Sequence, residues 1–195
     1  MMEPPVFIDG KPYGPKCARL ILEEKEASRT LPHAVVDTDY SPLPVSESEL
    51  QDHIYSLGLD DMIDVEVIYS SNPPDAGRPG WYVEATYNIG TQIITIYSTM
   101  DEAGGEDVKQ TLSHEYGHAV WFQIMDDSDY DDWERMYERA IRTGRFVTEY
   151  SSTSVEEFFA ECFAFYVHEP STLKMVSPSC YDWIKDRIFN GRSFE

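Results

Sequence analysis

The chain is poor in basic residues and in long apolar runs. It has 15 Lys and Arg against 36 Asp and Glu, which gives a formal net charge of −21 at pH 7 over 195 residues. Nucleic-acid binding through a broad basic face is therefore not expected, because neutralising phosphates requires Lys and Arg. No run of about 18 apolar residues is present, so no membrane span is expected either.

Cysteine and targeting signals are also scarce. The three cysteines, Cys17, Cys162 and Cys180, are too few and too odd in number for a disulfide framework, so a reducing compartment is the simplest interpretation. The first residues, MMEPPVFIDGKPYG, show no basic segment followed by an apolar one, and we expect no signal peptide. A cytoplasmic or virion-associated protein is predicted, with lysis or non-classical export as other routes of release.

The strong negative charge has two interpretations that composition does not separate. The first is that the charge serves solubility. The second is that it steers a peptide or protein substrate with basic side chains towards a site.

Secondary-structure signals divide the chain into a mixed N-terminal half and a helical C-terminal half. A helix is predicted over 15–29, and a short one starts at Ser46 and ends near Gly58. A strand near Val65, a loop rich in turn residues and a hairpin of WYVEATYN with QIITIYS follow, and the pattern then becomes almost wholly helical. We predict an α+β fold with a small, mostly antiparallel sheet. The predicted division is an N-terminal extension packed on the domain, residues 1–60, and a main domain, residues 61–195.

The strongest chemical signal is the stretch TLSHEYGHAVWF. Its helical pattern places His114 and His118 on one face, because residues four apart are neighbours on a helix. Two imidazoles at this spacing can bind one ion, and Glu115 lies about 100° round the helix, where a general base belongs. Gly117 costs about 1 kcal/mol relative to Ala, so we expect another segment to approach it closely. The motif alone does not exclude a chance arrangement of polar residues on a helix that binds no metal.

A catalytic zinc site needs a third protein ligand besides two histidines. The residues after the second histidine read AVWFQIMD, which excludes the further histidine of the metzincins. A second helix, predicted to begin with a capping box of Thr153 and Glu156, carries Glu157 and Glu161 four apart on a largely apolar surface. Buried carboxylates need cations or a metal, so this helix is expected to supply the third ligand.

The stretch HEYGH, followed by YSSTSVEEFFAECF, resembles the catalytic domain of anthrax lethal factor and the Pro-Pro endopeptidases. These are gluzincin metallopeptidases with a zincin-like fold, and the resemblance covers about residues 80–192. It implies one zinc ion, bound by His114, His118 and Glu157.

The same resemblance implies roles for three further side chains. Glu115 would be the general base of peptide hydrolysis, and Tyr150 would donate to the developing oxyanion. Glu161 would support the zinc ligands without binding the ion itself. The alternatives are a tyrosine that only packs and a glutamate in a salt bridge with an arginine. His33, His53, His168 and Cys162 are expected to be ordinary polar or core residues.

Three functions are compatible with these patterns. The first is a zinc endopeptidase. The second is a catalytically idle structural or interaction protein that keeps the peptidase fold within a viral or toxin assembly. The third is a repressor-clearing peptidase of mobile elements, which shares H-E-x-G-H but carries E-A-N-x-F-A where this chain reads EEFFAE.

Overall fold

A computed structural model of the chain describes residues 6–8, 11–13, 43–77 and 82–194. The helix predicted over 15–29 lies outside these residues, as does His33. Near the N-terminus, β1 (Val6–Ile8) and β2 (Lys11–Tyr13) form an antiparallel pair.

The first described helix, α1 (Glu47–Leu57), begins and ends as the sequence predicts. The Ser46 hydroxyl accepts the backbone N–H of Glu49, and the Glu49 carboxylate accepts the backbone N–H of Ser46, so two otherwise unpaired amides are satisfied. Gly58 ends the helix at φ 69°, a conformation that favours glycine. The apolar face of α1 joins the same hydrophobic core as the later elements.

A three-stranded sheet supports the site. It contains β3 (Glu66–Ser70), β4 (Ala85–Asn88) and β5 (Ile93–Tyr97) in the order β3-β5-β4. The predicted hairpin forms, with β4 antiparallel to β5, while β3 runs parallel to β5, so the sheet is mixed. In the described part of the chain, β4 is therefore an edge strand.

The C-terminal half is helical, as predicted. Its elements are α2 (Gly105–Gln123), α3 (Asp127–Thr143), a 3₁₀ turn (Tyr150–Ser152), α4 (Val155–His168), α5 (Pro170–Val176), α6 (Pro178–Trp183) and a π turn (Ile184–Ile188). Together with the sheet they confirm the α+β class. None of the described helices combines the length and apolar character needed to cross a membrane.

The start of α4 differs by one residue from the prediction. The cap is Ser154, whose hydroxyl accepts the backbone N–H of Glu157 over 3.2 Å. Thr153 has helical backbone angles, and its hydroxyl donates to the carbonyl of Tyr150 instead. The predicted capping box of Thr153 with Glu156 is therefore wrong, because Ser154 and Glu157 offer the same spacing and Ser154 takes the extended conformation.

The helices α2 and α4 pack directly on each other at Gly117. A Cβ atom on Gly117 would lie 3.0 Å from Cα of Ala160 and 3.3 Å from Cβ of Phe163. The expected close approach of another segment is confirmed. The glycine therefore sets the separation of the two helices.

Replacing Gly117 with Ala is expected to destabilise the protein despite the better helix propensity of Ala. The propensity gain is about 1 kcal/mol, whereas overpacking a filled contact typically costs about 1–3 kcal/mol. The contacted atom belongs to the backbone of Ala160, so it cannot rotate away. Thermal melting would check this, and a higher melting temperature in the variant would show that α4 does not constrain this position.

Candidate metal centre

The helix α2 carries both histidines of the HEYGH motif. Its first turn is capped by Asp107, whose carboxylate accepts the backbone N–H of Gly104 over 3.1 Å. His114 and His118 lie one turn apart further along the helix and project from one face, with ring centroids 4.9 Å apart in an edge-on arrangement. His114 is buried, with 9% of its surface exposed, so its ring is screened from bulk water.

The helix α4 brings a carboxylate to the two rings. Oε2 of Glu157 lies 3.1 Å from Nε2 of His114 and 3.4 Å from Nε2 of His118. One ligand atom from each of these three residues lies within 4.8 Å of the others. The three side chains that the resemblance implies as ligands therefore meet at one point.

The donor atoms at this point fit a metal ion. Among the described residues, Oε2 of Glu157 is buried and makes no hydrogen bond of normal geometry, although two ring nitrogens face it. Such an oxygen is costly unless a cation satisfies it. Ligand atoms around a tetrahedral ion, with bonds of about 2.0–2.1 Å, stand roughly 3.3 Å apart. The two separations between Oε2 of Glu157 and the histidine nitrogens, 3.1 Å and 3.4 Å, are close to this value.

The charges of the metal-free site are strongly coupled. Burial lowers the pKa of His114, but the carboxylates of Glu157 and Glu161 that face its two ring nitrogens outweigh burial and raise that pKa to about 10. Burial raises the pKa of Glu157, yet the rings of His114 and His118 that face its carboxylate hold that pKa well below the ordinary value. In the metal-free chain His114 is therefore an imidazolium, and a metal ion must displace its proton to bind.

Glu115 faces the same space but is not one of the three candidate ligands, His114, His118 and Glu157. Its side chain is 8% exposed and lines two open clefts that lie beside the three candidate ligands. Burial raises its pKa. The charges of His118 and His114 and a backbone hydrogen bond from Tyr87 lower the pKa and offset part of this rise. A carboxyl group with increased proton affinity next to an open cleft suits proton transfer at neutral pH.

Tyr150 lies across from the histidines on the 3₁₀ turn. It is 45% exposed, and its ring centroid is 5.9 Å from that of His114. Burial and the negative charge of Glu157 raise the pKa of its hydroxyl. The phenol therefore keeps its proton and can act as a hydrogen-bond donor into the clefts that it lines.

Glu161 contacts the outer side of the site. Its Oε1 lies 2.8 Å from Nδ1 of His114, at ion-pair distance but off the line of an ideal hydrogen bond. Its Oε2 accepts the hydroxyl of Thr148 over 2.6 Å. Its partners are thus a histidine and a threonine rather than the arginine of the alternative prediction. The sequence interpretation did not include Thr148.

A family model described as anthrax toxin lethal factor, N- and C-terminal domain, matches residues 81–187, more than half of the chain. The chain belongs to the anthrax toxin lethal factor family. No curated protein matches it significantly. The matched segment contains every residue of the candidate centre. Because the description covers two different domains of lethal factor, family membership alone assigns no activity to this chain.

Two other histidines of this lethal factor family member meet away from the ligand group. Nε2 of His53 lies 2.8 Å and Nε2 of His168 lies 3.0 Å from the hydroxyl of Ser113, which is fully buried. Burial lowers the pKa of both histidines, that of His53 to about 4. They form a neutral polar contact among α1, α2 and α4. Cys162, as expected, is a buried core residue.

Two open clefts flank the metal group of this lethal factor family chain. The larger has a volume of about 730 Å³ and the smaller about 370 Å³, and Val83 and Ala85 line both. The larger is also lined by Glu84 and Asp107, and the smaller by Glu156. Among the described residues, no Lys or Arg lines either cleft, so both are negatively charged.

Proposed function

We propose that this lethal factor family chain is a zinc-dependent endopeptidase. One observation carries the proposal: Oε2 of Glu157 faces Nε2 of both His114 and His118 without a normal hydrogen bond among the described residues. A proton-accepting carboxyl, Glu115, adjoins this point but is not part of the ligand group. Structural zinc sites use four protein ligands, whereas three ligands beside an open cleft are typical of catalytic sites.

His114, His118 and Glu157 would hold the zinc ion. Two imidazoles and one carboxylate form a donor set that zinc accepts readily, whereas calcium and magnesium prefer oxygen ligands alone. When bound, zinc polarises a carbonyl oxygen and increases the acidity of water. His114 loses its proton when it becomes a ligand, so zinc should bind more weakly as the pH falls.

Glu115 would move the proton during hydrolysis. Its carboxylate takes a proton from the attacking water and delivers it to the nitrogen of the leaving amine. The hydrogen bond from the backbone of Tyr87 orients this carboxylate from β4. Burial, which raises its pKa, increases its affinity for the proton that it must hold between the two transfers.

The edge strand β4 would align the substrate. In the described part of the sheet no further strand lies beside β4 on its outer side, and residues of β4 line the smaller cleft beside His114, His118 and Glu157. An extended peptide can add to such an edge through main-chain hydrogen bonds. The carboxylates of Glu84 and Glu156, in different clefts, favour a substrate with basic side chains.

The test combines metal analysis with peptide cleavage. We expect about one zinc per chain, and cleavage that a chelator stops and added zinc restores. Within a library, peptides with Lys or Arg near the scissile bond should be cut faster than matched acidic ones at low salt. High salt should reduce this advantage, because it screens the charges. Tight zinc binding without cleavage of any peptide would favour the catalytically idle alternative.

Replacing Tyr150 with Phe is expected to lower kcat by about 10²- to 10³-fold, the usual scale for one oxyanion donor. KM should change little, because the ground-state carbonyl hardly uses the hydrogen bond. Zinc content and melting temperature should stay near those of the wild type, because the ring is partly exposed. If the tyrosine only packs, kcat will follow the folded fraction, and normal turnover in the variant would show that Tyr150 has no catalytic role.

A further inference from the structure

Thr148, in the segment between α3 and the 3₁₀ turn, contacts the candidate centre without being one of its ligands. Its hydroxyl donates to Oε2 of Glu161 over 2.6 Å, and Oγ1 of Thr148 accepts the backbone N–H of Ser151 over 3.0 Å. A carboxylate only accepts and an amide only donates, so the two bonds determine the direction of the hydroxyl. Thr148 therefore connects α4 to the turn in one orientation.

The turn itself is closed by Ser151. The Ser151 hydroxyl donates to the carbonyl of Thr148 over 2.7 Å and accepts the backbone N–H of Thr148 over 3.3 Å. Ser151 is fully buried, so water does not compete for these bonds. The carbonyl of Tyr150 accepts both the hydroxyl and the amide of Thr153. The backbone from which the Tyr150 side chain projects is thus held on both sides.

The other end of the connection reaches the metal ligands. Glu161 uses Oε2 for Thr148 and presents Oε1 to Nδ1 of His114, whose Nε2 faces Glu157. A carboxylate at the outer nitrogen of a metal-binding histidine sets the orientation of the ring. Without the Thr148 hydroxyl, the Glu161 carboxylate loses the bond that limits its rotation, and the His114 ring loses part of its support.

We propose that Thr148 is a positioning residue for this reaction. Its single hydroxyl aligns the His114 ring through Glu161 and the Tyr150 side chain through the amide of Ser151. The proposal rests on the proposed peptidase function, because it concerns the relative placement of a zinc ligand and an oxyanion donor. A purely structural Thr148 would affect stability and leave the chemical step unchanged.

Two matched comparisons isolate the hydroxyl. Thr148→Val keeps the shape of the side chain without the hydroxyl, and Thr148→Ser and Thr148→Ala differ only by the hydroxyl. In the zinc-loaded full chain, Thr148→Val and Thr148→Ala should each lower kcat by about 10- to 100-fold, the usual effect of losing a hydrogen-bond partner of a metal ligand. KM should change little, and Thr148→Ser should stay close to the wild type. Should Thr148→Val fail to fold, the comparison of Thr148→Ser with Thr148→Ala still tests the role of the hydroxyl.

A double-mutant cycle tests the connection to Tyr150. If Thr148 acts partly through Tyr150, Thr148→Val should lower kcat less in the Tyr150→Phe background than in the wild type. Full additivity of the two effects would overturn this half of the proposal. Equal losses in Thr148→Ser and Thr148→Ala, with kcat following the folded fraction, would overturn the whole.

A measurement on the metal-free chain separates this proposal from the proposed function. The ¹⁵N signals of the His114 ring should shift in Thr148→Val and Thr148→Ala but not in Thr148→Ser. Unchanged signals in the first two variants would overturn the connection through Glu161. A wild-type chain that cuts no peptide would refute the peptidase function, while the ring signals would still decide whether Thr148 orients His114.

Discussion

Replacement of Glu115 by Gln is expected to remove nearly all turnover while zinc and fold are retained. Gln has the same shape but cannot accept the proton of the attacking water, and general acid–base groups typically contribute about 10²- to 10⁴-fold to the rate. Because Glu115 is outside the ligand group, zinc content should be unchanged. Glu106→Gln is the matched control, since it makes the same chemical change on an exposed position of α2.

The thermal stability of Glu115→Gln gives a second, independent readout. Burial raises the pKa of Glu115 in the folded chain above its ordinary value of 4.5. The folded state therefore binds more protons than the unfolded state, and the contribution of this group to stability is present below pH 4.5 and lost as the pH rises. At pH 7 to 8 the Gln variant should melt no lower than the wild type. Loss of zinc from it would show instead that Glu115 is a ligand.

Replacement of Glu157 by Gln is expected to produce the largest loss of zinc affinity. Mutating a hydrogen-bond partner of a metal ligand typically lowers metal affinity by about 10- to 100-fold. Losing the charged ligand itself should lower zinc affinity by more than about 100-fold. Glu161→Gln, one turn along the same helix, is the matched comparison and should fall within the smaller range. Competition with a chelator would rank the two variants.

The metal-free form of the Glu157 variant is informative as well. The carboxylate of Glu157 is one of the groups that raise the pKa of His114 to about 10, so its removal should lower that pKa and the stability of the metal-free chain. Elemental analysis offers the strictest check of the ligand set. Equal zinc content in the wild type and in His118→Ala would rule that set out.

Some features of the centre follow from local sequence patterns. The helix α2 has a long helical pattern without proline, so both histidines fall on one face whatever surrounds them. The β4–β5 hairpin is also local, because Oδ1 of Asn88 accepts the amides of Gly90 and Thr91 and closes the turn. The close approach at Gly117 is predictable because the glycine is otherwise unfavourable within a helix.

Other features depend on contacts that no local pattern encodes. The parallel pairing of β3 with β5 joins segments more than 20 residues apart, and the sequence predicts the strands without their order. The helix cap at Ser154 competes with an equivalent pattern at Thr153, and only the backbone conformation decides between them. Thr148 acquires its importance from Glu161, 13 residues further along the chain.

The contact of Ser113 with two histidines places the ring protons asymmetrically. The ring of His168 makes a hydrogen bond with the backbone of Lys109, and since its Nε2 faces Ser113, this arrangement favours the tautomer with the proton on Nδ1. With His168 in that tautomer, the Ser113 hydroxyl donates to Nε2 of His168 and accepts from Nε2–H of His53. The neutral rings are thus opposite tautomers, and a one-way chain of donors runs from α1 through α2 to α4. Reversing the direction of one hydrogen bond in this chain would require moving the protons of His53, Ser113 and His168 together.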